Sequence, residues 1–322
     1  MNKKVKGWLI AAVLMIIAGF VLFGGVIIAT NGFISRPIGE EKTSQTYTVA
    51  ESFSHISIET DIDDVLLDYV PFSDALVEVA CTESEKLRYT VSVENDTLMV
   101  RLNDQRKWYD HISLFSRSGS VILRLPQGEY GNLTIQGDTS DVKVRKEFSF
   151  SSVDVSVTTG DVYCYASVSE DIRIHGDTGS VRVQDVATRN LDIAVSTGKV
   201  TVTNVNCTGN LSVALTTGDL NVKDVLCKNL NSTGDTGDLV LEEVRIGEKL
   251  TADRSTGDIR LKAVGAGEIE ITTDTGDVVG SLQEEMLFFT STDTGKISVP
   301  QSTTGGKCVI TTDTGDITIT LP

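Results

Sequence analysis

Residues 191–222 read LDIAVSTGKVTVTNVNCTGNLSVALTTGDLNV. Two units follow one another with the same internal spacing. Leu191 and Ile193 stand seven and five residues before Gly198, and Val200 and Val202 stand two and four after it. Leu211, Val213, Leu220 and Val222 hold the same places around Gly218. Alternation with a period of two sends one side chain inward and the next outward, the pattern of a strand with one buried face. No apolar stripe with a 3.6-residue period competes with it.

Outward from this stretch, Thr-Gly-Asp or a near variant recurs with central residues Ser140, Gly160, Gly179, Gly198, Gly218, Gly237, Gly257, Gly276, Gly295 and Gly315. Every interval is 19 or 20 residues. A unit this short cannot bury its own apolar face, so it must stack on copies of itself. The spacing predicts an all-β chain. Its body is a single-stranded, right-handed parallel β-solenoid of about ten coils, with like residues roughly 4.8 Å apart on neighbouring coils. The glycine marks a corner where a residue without Cβ takes positive φ at low cost. The Thr before it and the Asp after it can bond the exposed corner backbone. An antiparallel meander is the rival fold, but one turn signal per unit fits coils better than hairpins.

Upstream, residues 47–131 are β-rich and irregular, and the expected organisation is a cytoplasmic tail (1–7), a transmembrane helix (8–29), a linker (30–46), a β-rich cap (47–131) and the repeat solenoid (132–322). Phe53, Ile56, Ile58, Asp64, Val65 and Leu67 look like a degenerate first coil. Val91 and Val93, a turn at Asn95-Asp96, and Leu98 and Val100 read as a hairpin. Asn103 to Ser118 is the one long insertion. Its Arg106, Lys107, Trp108, Tyr109 and Arg117 form a basic, aromatic group on an acidic body. Two readings stand: a cap over the open solenoid end, and a contact loop for a ligand or lipid headgroups.

No charged residue lies between Lys6 and Arg36, and Trp8 to Ala29 is nearly all apolar. At about 1.5 Å per residue that run spans roughly 33 Å, enough to cross a hydrocarbon core. It is longer than the apolar core of a removable signal peptide. Lys3, Lys4 and Lys6 precede it, so the N-terminus is expected in the cytoplasm and the C-terminal body outside a single-pass cell-membrane anchor. The chain carries a net charge of −17, and setting aside the four cations before residue 40 leaves −21 for the body. Such a body has no basic face for nucleic acid. Cationic peptides, wall polymers and another envelope protein are the expected partner classes.

The corner residues also carry the candidate chemistry. Asp219, Asp238, Asp258 and Asp277 share one offset on four coils, and Asp274, Asp293 and Asp313 form a second column. Stacked carboxylates repel, and hard oxygen ligands suit Ca²⁺. Solvated turn caps are the simpler reading, since Ser180, Lys199 and Lys296 already interrupt the column. No other cofactor is expected. Asp-Thr-Gly is also the aspartic-protease signature, but its copies here sit on one ladder rather than face to face. Cys164 and Cys308 fall on apolar offsets, so they read as core. Cys207 and Cys227 share an offset on adjacent coils, where Cα atoms about 5 Å apart permit a disulfide without requiring one. The last coil, Ile317 to Leu321, has no residues after it to cover its edge, which predicts weak self-association there.

The order of these features resembles the bacterial DUF4097-type family, whose members are labelled adhesins by architecture. The resemblance rests on the basic start and anchor, Phe53-x-x-Ile56-x-Ile58, Leu125-Pro126, Leu133-x-Ile135 and the Thr-Gly-Asp ladder. It implies an envelope-associated β-solenoid without enzymatic activity, in some relatives beside envelope-stress regulation. Binding or stress sensing is therefore the expected function. A passive spacer or accessory to a stress system is the alternative, and a carbohydrate-active β-helix enzyme is the remote one.

Overall fold

The computed structural model describes Met15, residues 42–71, residues 76–106 and residues 119–321. Apart from Met15, the expected membrane helix lies outside the described residues, as do the cytoplasmic tail and Lys107, Trp108, Tyr109 and Arg117 of the contact loop. Among those described, no helix is long and apolar enough to cross a membrane. Nearly all of them belong to one compact unit, Thr43–Asp104 with Ser118–Pro322. Its regular structure is all β, in one hydrogen-bonded network.

The predicted register is the observed one. Leu191 pairs with Leu211, Ile193 with Val213 and Thr197 with Thr217; past the corner, Val200 pairs with Leu220 and Val202 with Val222, all in parallel. The result is a β-solenoid of about ten turns. The column seven residues before the corner is Leu133, Val153, Ile172, Leu191, Leu211, Leu230, Leu250, Ile269, Cys308 and Phe288, every one at most 1% exposed except Phe288, which is half-buried on the end level. Burying each such aliphatic side chain contributes about 1.5–3 kcal/mol, and only levels covered above and below collect it in full.

The glycine corners have a steric cause. Gly218 has φ +134°, and a Cβ there would lie 1.6 Å from the carbonyl oxygen of Gly198 on the level beneath. Corner amides of the stacked levels instead donate to the next level, as Gly198 N–H does to the Thr217 carbonyl at 3.0 Å.

Levels do not stack in chain order at either end. Gly306–Thr314 pairs with Ile259–Thr275 on one side and Met286–Thr294 on the other. Ile317–Thr320 likewise lies between Val278–Leu282 and Ile297–Ser298. The C-terminal coil is therefore interior, which corrects the expectation that it forms the open edge. The cause is composition. The Gly315 level offers Cys308, Ile310, Ile317 and Ile319 to the core, all at most 3% exposed. The Gly295 level places Thr290 opposite Ile310 and leaves Phe289 58% and Ile297 45% exposed.

At the other end, His55–Glu59 lies between Thr97–Asp104 and Gly128–Thr139. Asp64–Val70 lies between Ser120–Pro126 and Val142–Val144. The degenerate coil is thus a true level, and Gly128–Thr139 runs across the expected boundary at 131/132. The expected hairpin is present, with Val91 opposite Val100 and Asn95 and Asp96 at φ 49° and 63°. Thr43–Val49, which begins inside the expected linker, adds an antiparallel strand against Val77–Glu83.

Candidate functional site: side-chain ladders along the corners

Asp219, Asp238, Asp258 and Asp277 do fall on consecutive levels. Asp219 Oδ1 accepts the Asp238 amide at 3.1 Å, Asp238 Oδ1 that of Asp258 at 3.0 Å, and Asp258 Oδ1 that of Asp277 at 3.0 Å. The run continues through Asp277 Oδ1, which accepts the Asp316 amide at 2.7 Å, and Asp316 Oδ1, which accepts that of Lys296 at 2.8 Å. One oxygen of each of these carboxylates therefore closes the corner of the next level. Asp316 was missed from sequence because chain order places Lys296 between it and Asp277. Asp274, Asp313 and Asp293 stack in that order and are exposed. Among the described residues, no three acidic, imidazole or thiol groups converge to hold a metal.

Two further columns escaped the sequence reading. Eight residues before the corner, Asn190 Nδ2 donates to Asp171 Oδ1 at 2.9 Å, the Asn210 amide to Asn190 Oδ1 at 2.9 Å, and Asn229 Nδ2 to Asn210 Oδ1 at 3.0 Å. The intervals between Asn190, Asn210 and Asn229 match those of the glycines, so the signal was present. Six residues after the corner, Asp185, Asn204, Asp224, Glu243 and Ala263 all have φ between 52° and 57°. Asp and Asn tolerate this left-handed turn; Glu243 and Ala263 carry no such signature.

Charged groups on the faces pair between levels. Lys262 and Lys223 both bond Glu242 and hold its carboxyl below the usual range. Arg260 bonds Asp238 and lowers it likewise. The Asn190 amide, and then Arg189, lowers Asp171. A shallow cleft beside the left-handed corner is lined by Asp224, Leu226, Glu243, Arg245 and Gln283, with Val225 and Ala263. That lining has no imidazole, thiol or hydroxyl to serve as a nucleophile.

All five cysteines are free and buried. Cys207 Sγ lies 3.1 Å from the Arg189 carbonyl and 3.2 Å from that of Asn210.

The Toastrack DUF4097 family model matches residues 53–320, nearly the whole described body. The chain belongs to the Toastrack DUF4097 family. Solved structures similar to this Toastrack chain include a "putative lipid binding protein" of Parabacteroides distasonis, 15% identical, covering 88% of this chain and 99% of that one, with a TM-score of 0.47. A "putative adhesin" of Parabacteroides merdae is 13% identical, with 88% and 98% covered and a TM-score of 0.49. Another from Bacteroides fragilis is 12% identical, with 88% and 100% covered and a TM-score of 0.42. No curated protein matches the chain.

Proposed function

We propose that this chain is a single-pass surface protein that holds an acidic, right-handed β-solenoid outside the cell and works there by binding or sensing rather than by catalysis. Residues 8–29 form the membrane anchor and residues 1–7 remain in the cytoplasm. The charge-free run after Lys3, Lys4 and Lys6 supports the anchor and its orientation. The observation that carries the non-catalytic reading is the corner ladder from Asp219 to Lys296. Level after level, polar corner groups are committed to the backbone of a neighbour, so the recurring geometry of the repeat serves stacking, and binding is left to the side faces.

The test is protease treatment of intact cells expressing the full chain with a tag at one end or the other. A C-terminal tag is expected to be digested and an N-terminal tag to survive, with the protein in the membrane fraction. Release into the medium, or a protected C-terminal tag, would overturn the reading. Capture experiments with wall polymers, cationic peptides and envelope extracts then address the partner class. Cationic peptides belong in that set because the body carries −21.

A further inference from the structure

The face that follows the glycine corner is not uniformly acidic. In its outward rows Lys143 pairs in register with Tyr163, and Tyr163 with Arg182. Arg145 and Tyr165 stand two residues further along their levels. Lys143 and Arg182 are exposed and the two tyrosines half-buried.

Most cations elsewhere on this face are tied to carboxylates. Lys223 and Lys262 share Glu242, and Arg260 bridges Asp238 and Asp258. Within the patch, Arg145 meets Asp68 at 3.1 Å, and Tyr163 donates to Asp161 Oδ2 at 3.1 Å. Among the described residues, Lys143 and Arg182 have no ion pair, although the body carries an excess of acid.

We propose that the row Lys143–Tyr163–Arg182, with Tyr165 beside it, is a binding surface for an anionic polysaccharide bearing sugar carboxylates. The proposal rests on the surface-protein reading above and names the ligand class for one face. Lys143 and Arg182 are two levels apart, roughly 10 Å, with a tyrosine between them. An extended polymer crossing the levels can set carboxylates at both cations while a sugar ring lies against Tyr163. The Arg182 fork suits a carboxylate bidentately, and tyrosine offers an apolar body with a wet rim. A polymer with one carboxylate per sugar ring fits better than a duplex nucleic acid, whose phosphates would set about one charge per 1.7 Å of axis against the surrounding acid.

The experiment measures binding of the full chain in detergent to polygalacturonate at low and high salt, beside neutral dextran, a single-stranded oligothymidylate and phosphatidylglycerol vesicles. The unmodified chain is expected to bind polygalacturonate in preference to the other three. Lys143→Glu with Arg182→Glu should weaken that binding about tenfold or more. Lys223→Glu with Lys262→Glu makes the same change in net charge elsewhere on the face and should weaken it less than about twofold. Tyr163→Ala, which changes no charge, should also weaken it. No polygalacturonate binding at low salt, equal losses in both charge-reversed pairs, or tighter binding to the oligonucleotide or vesicles would each overturn the proposal. None of these results alters the protease-accessibility outcome, so failure of this inference is distinguishable from failure of the surface-protein reading.

Discussion

Arg254 lies across Gly234 of the level before it, in register, with its guanidinium donating to Ser232 Oγ at 2.7 Å and to the Asp253 carbonyl at 2.9 Å. It is 2% exposed and has no ion pair with a carboxylate among the described residues. Glycine makes the room, since a Cβ at position 234 would sit 2.4 Å from the Leu215 carbonyl oxygen and 2.9 Å from Arg254 Nη1. Burial pushes the guanidinium below its usual range, and Thr273, paired with it on the next level, has a buried hydroxyl without a partner. A desolvated cation with only neutral acceptors is costly. Arg254→Met keeps length and volume and is expected to raise stability by about 1 kcal/mol or more in urea unfolding. A loss of similar size would show that the interior hydrogen bonds outweigh the desolvation cost.

The corner column makes a sharper demand. Gly218→Ala places a methyl 1.6 Å from the Gly198 carbonyl oxygen at φ +134°. Relief requires a backbone shift on two levels, so a loss of at least about 3 kcal/mol, or failure to fold, is expected. Gly247→Ala is the control, because its nearest contact would be at 3.9 Å; that change should stay within about 0.5 kcal/mol. Similar thermal midpoints for the two variants would refute the steric account of the repeat.

Asp238 separates the acceptor role of a corner carboxylate from its charge. Asp238→Ala removes the acceptor for the Asp258 amide and is expected to cost about 1 kcal/mol. Asp238→Asn keeps an oxygen there and should cost less than half as much. The pH dependence follows from the depressed groups. Arg260 holds Asp238 below its ordinary 3.8, and Lys262 with Lys223 holds Glu242 below its ordinary 4.5. A carboxylate lowered in the folded state contributes stability above its unfolded pKa and loses it as pH falls through the folded value. The thermal midpoint should therefore drop as pH is taken below about 4, and more shallowly in Asp238→Asn.

Thiol chemistry gives an independent view of the core. Burial raises Cys164 to about 11 and Cys81, Cys227 and Cys308 to about 12, and it raises Cys207 as well. A raised folded pKa means that the stabilising contribution is whole below the unfolded value and is lost as pH rises through the folded one. At pH 8 a thiol reagent should label none of the five cysteines in native protein and all five in urea. Labelling of Cys207 or Cys227 under native conditions would indicate local opening at that pair of levels.

Much of this architecture was readable in residues 160–315, because a residue without Cβ is required wherever one corner carbonyl faces the next level, and that requirement recurs every 19 or 20 positions. The order of levels was not readable from those intervals, since a constant period says which residues share a column but not which level lies on which. A residue-level clue did exist: Thr290 stands at an offset where every other level except that of Ser232 places an aliphatic residue, and its level alone combines that polar residue with an exposed Phe289 and Ile297. The left-handed column was hidden by Glu243 and Ala263. The basic row on the face was hidden because Lys143, Tyr163 and Arg182 are ordinary outward residues until stacking brings them together.

The swapped order makes a prediction that chain order would not. If the C-terminal coil were the end level, deleting residues 299–322 would peel off one coil and leave Met286–Thr294 in place. In the observed stack the deletion removes Cys308, Ile310, Ile317 and Ile319 from between two levels. Met286–Thr294 could then pair with Ile259–Thr275 only by setting Thr290 where Ile310 packs against Ile271. Amides of Met286–Thr294 are therefore expected to lose hydrogen-exchange protection completely in the truncated chain, and Leu250 and Ala252 to keep theirs two levels away. Native-like protection across residues 286–294 after truncation would mean that these levels follow chain order.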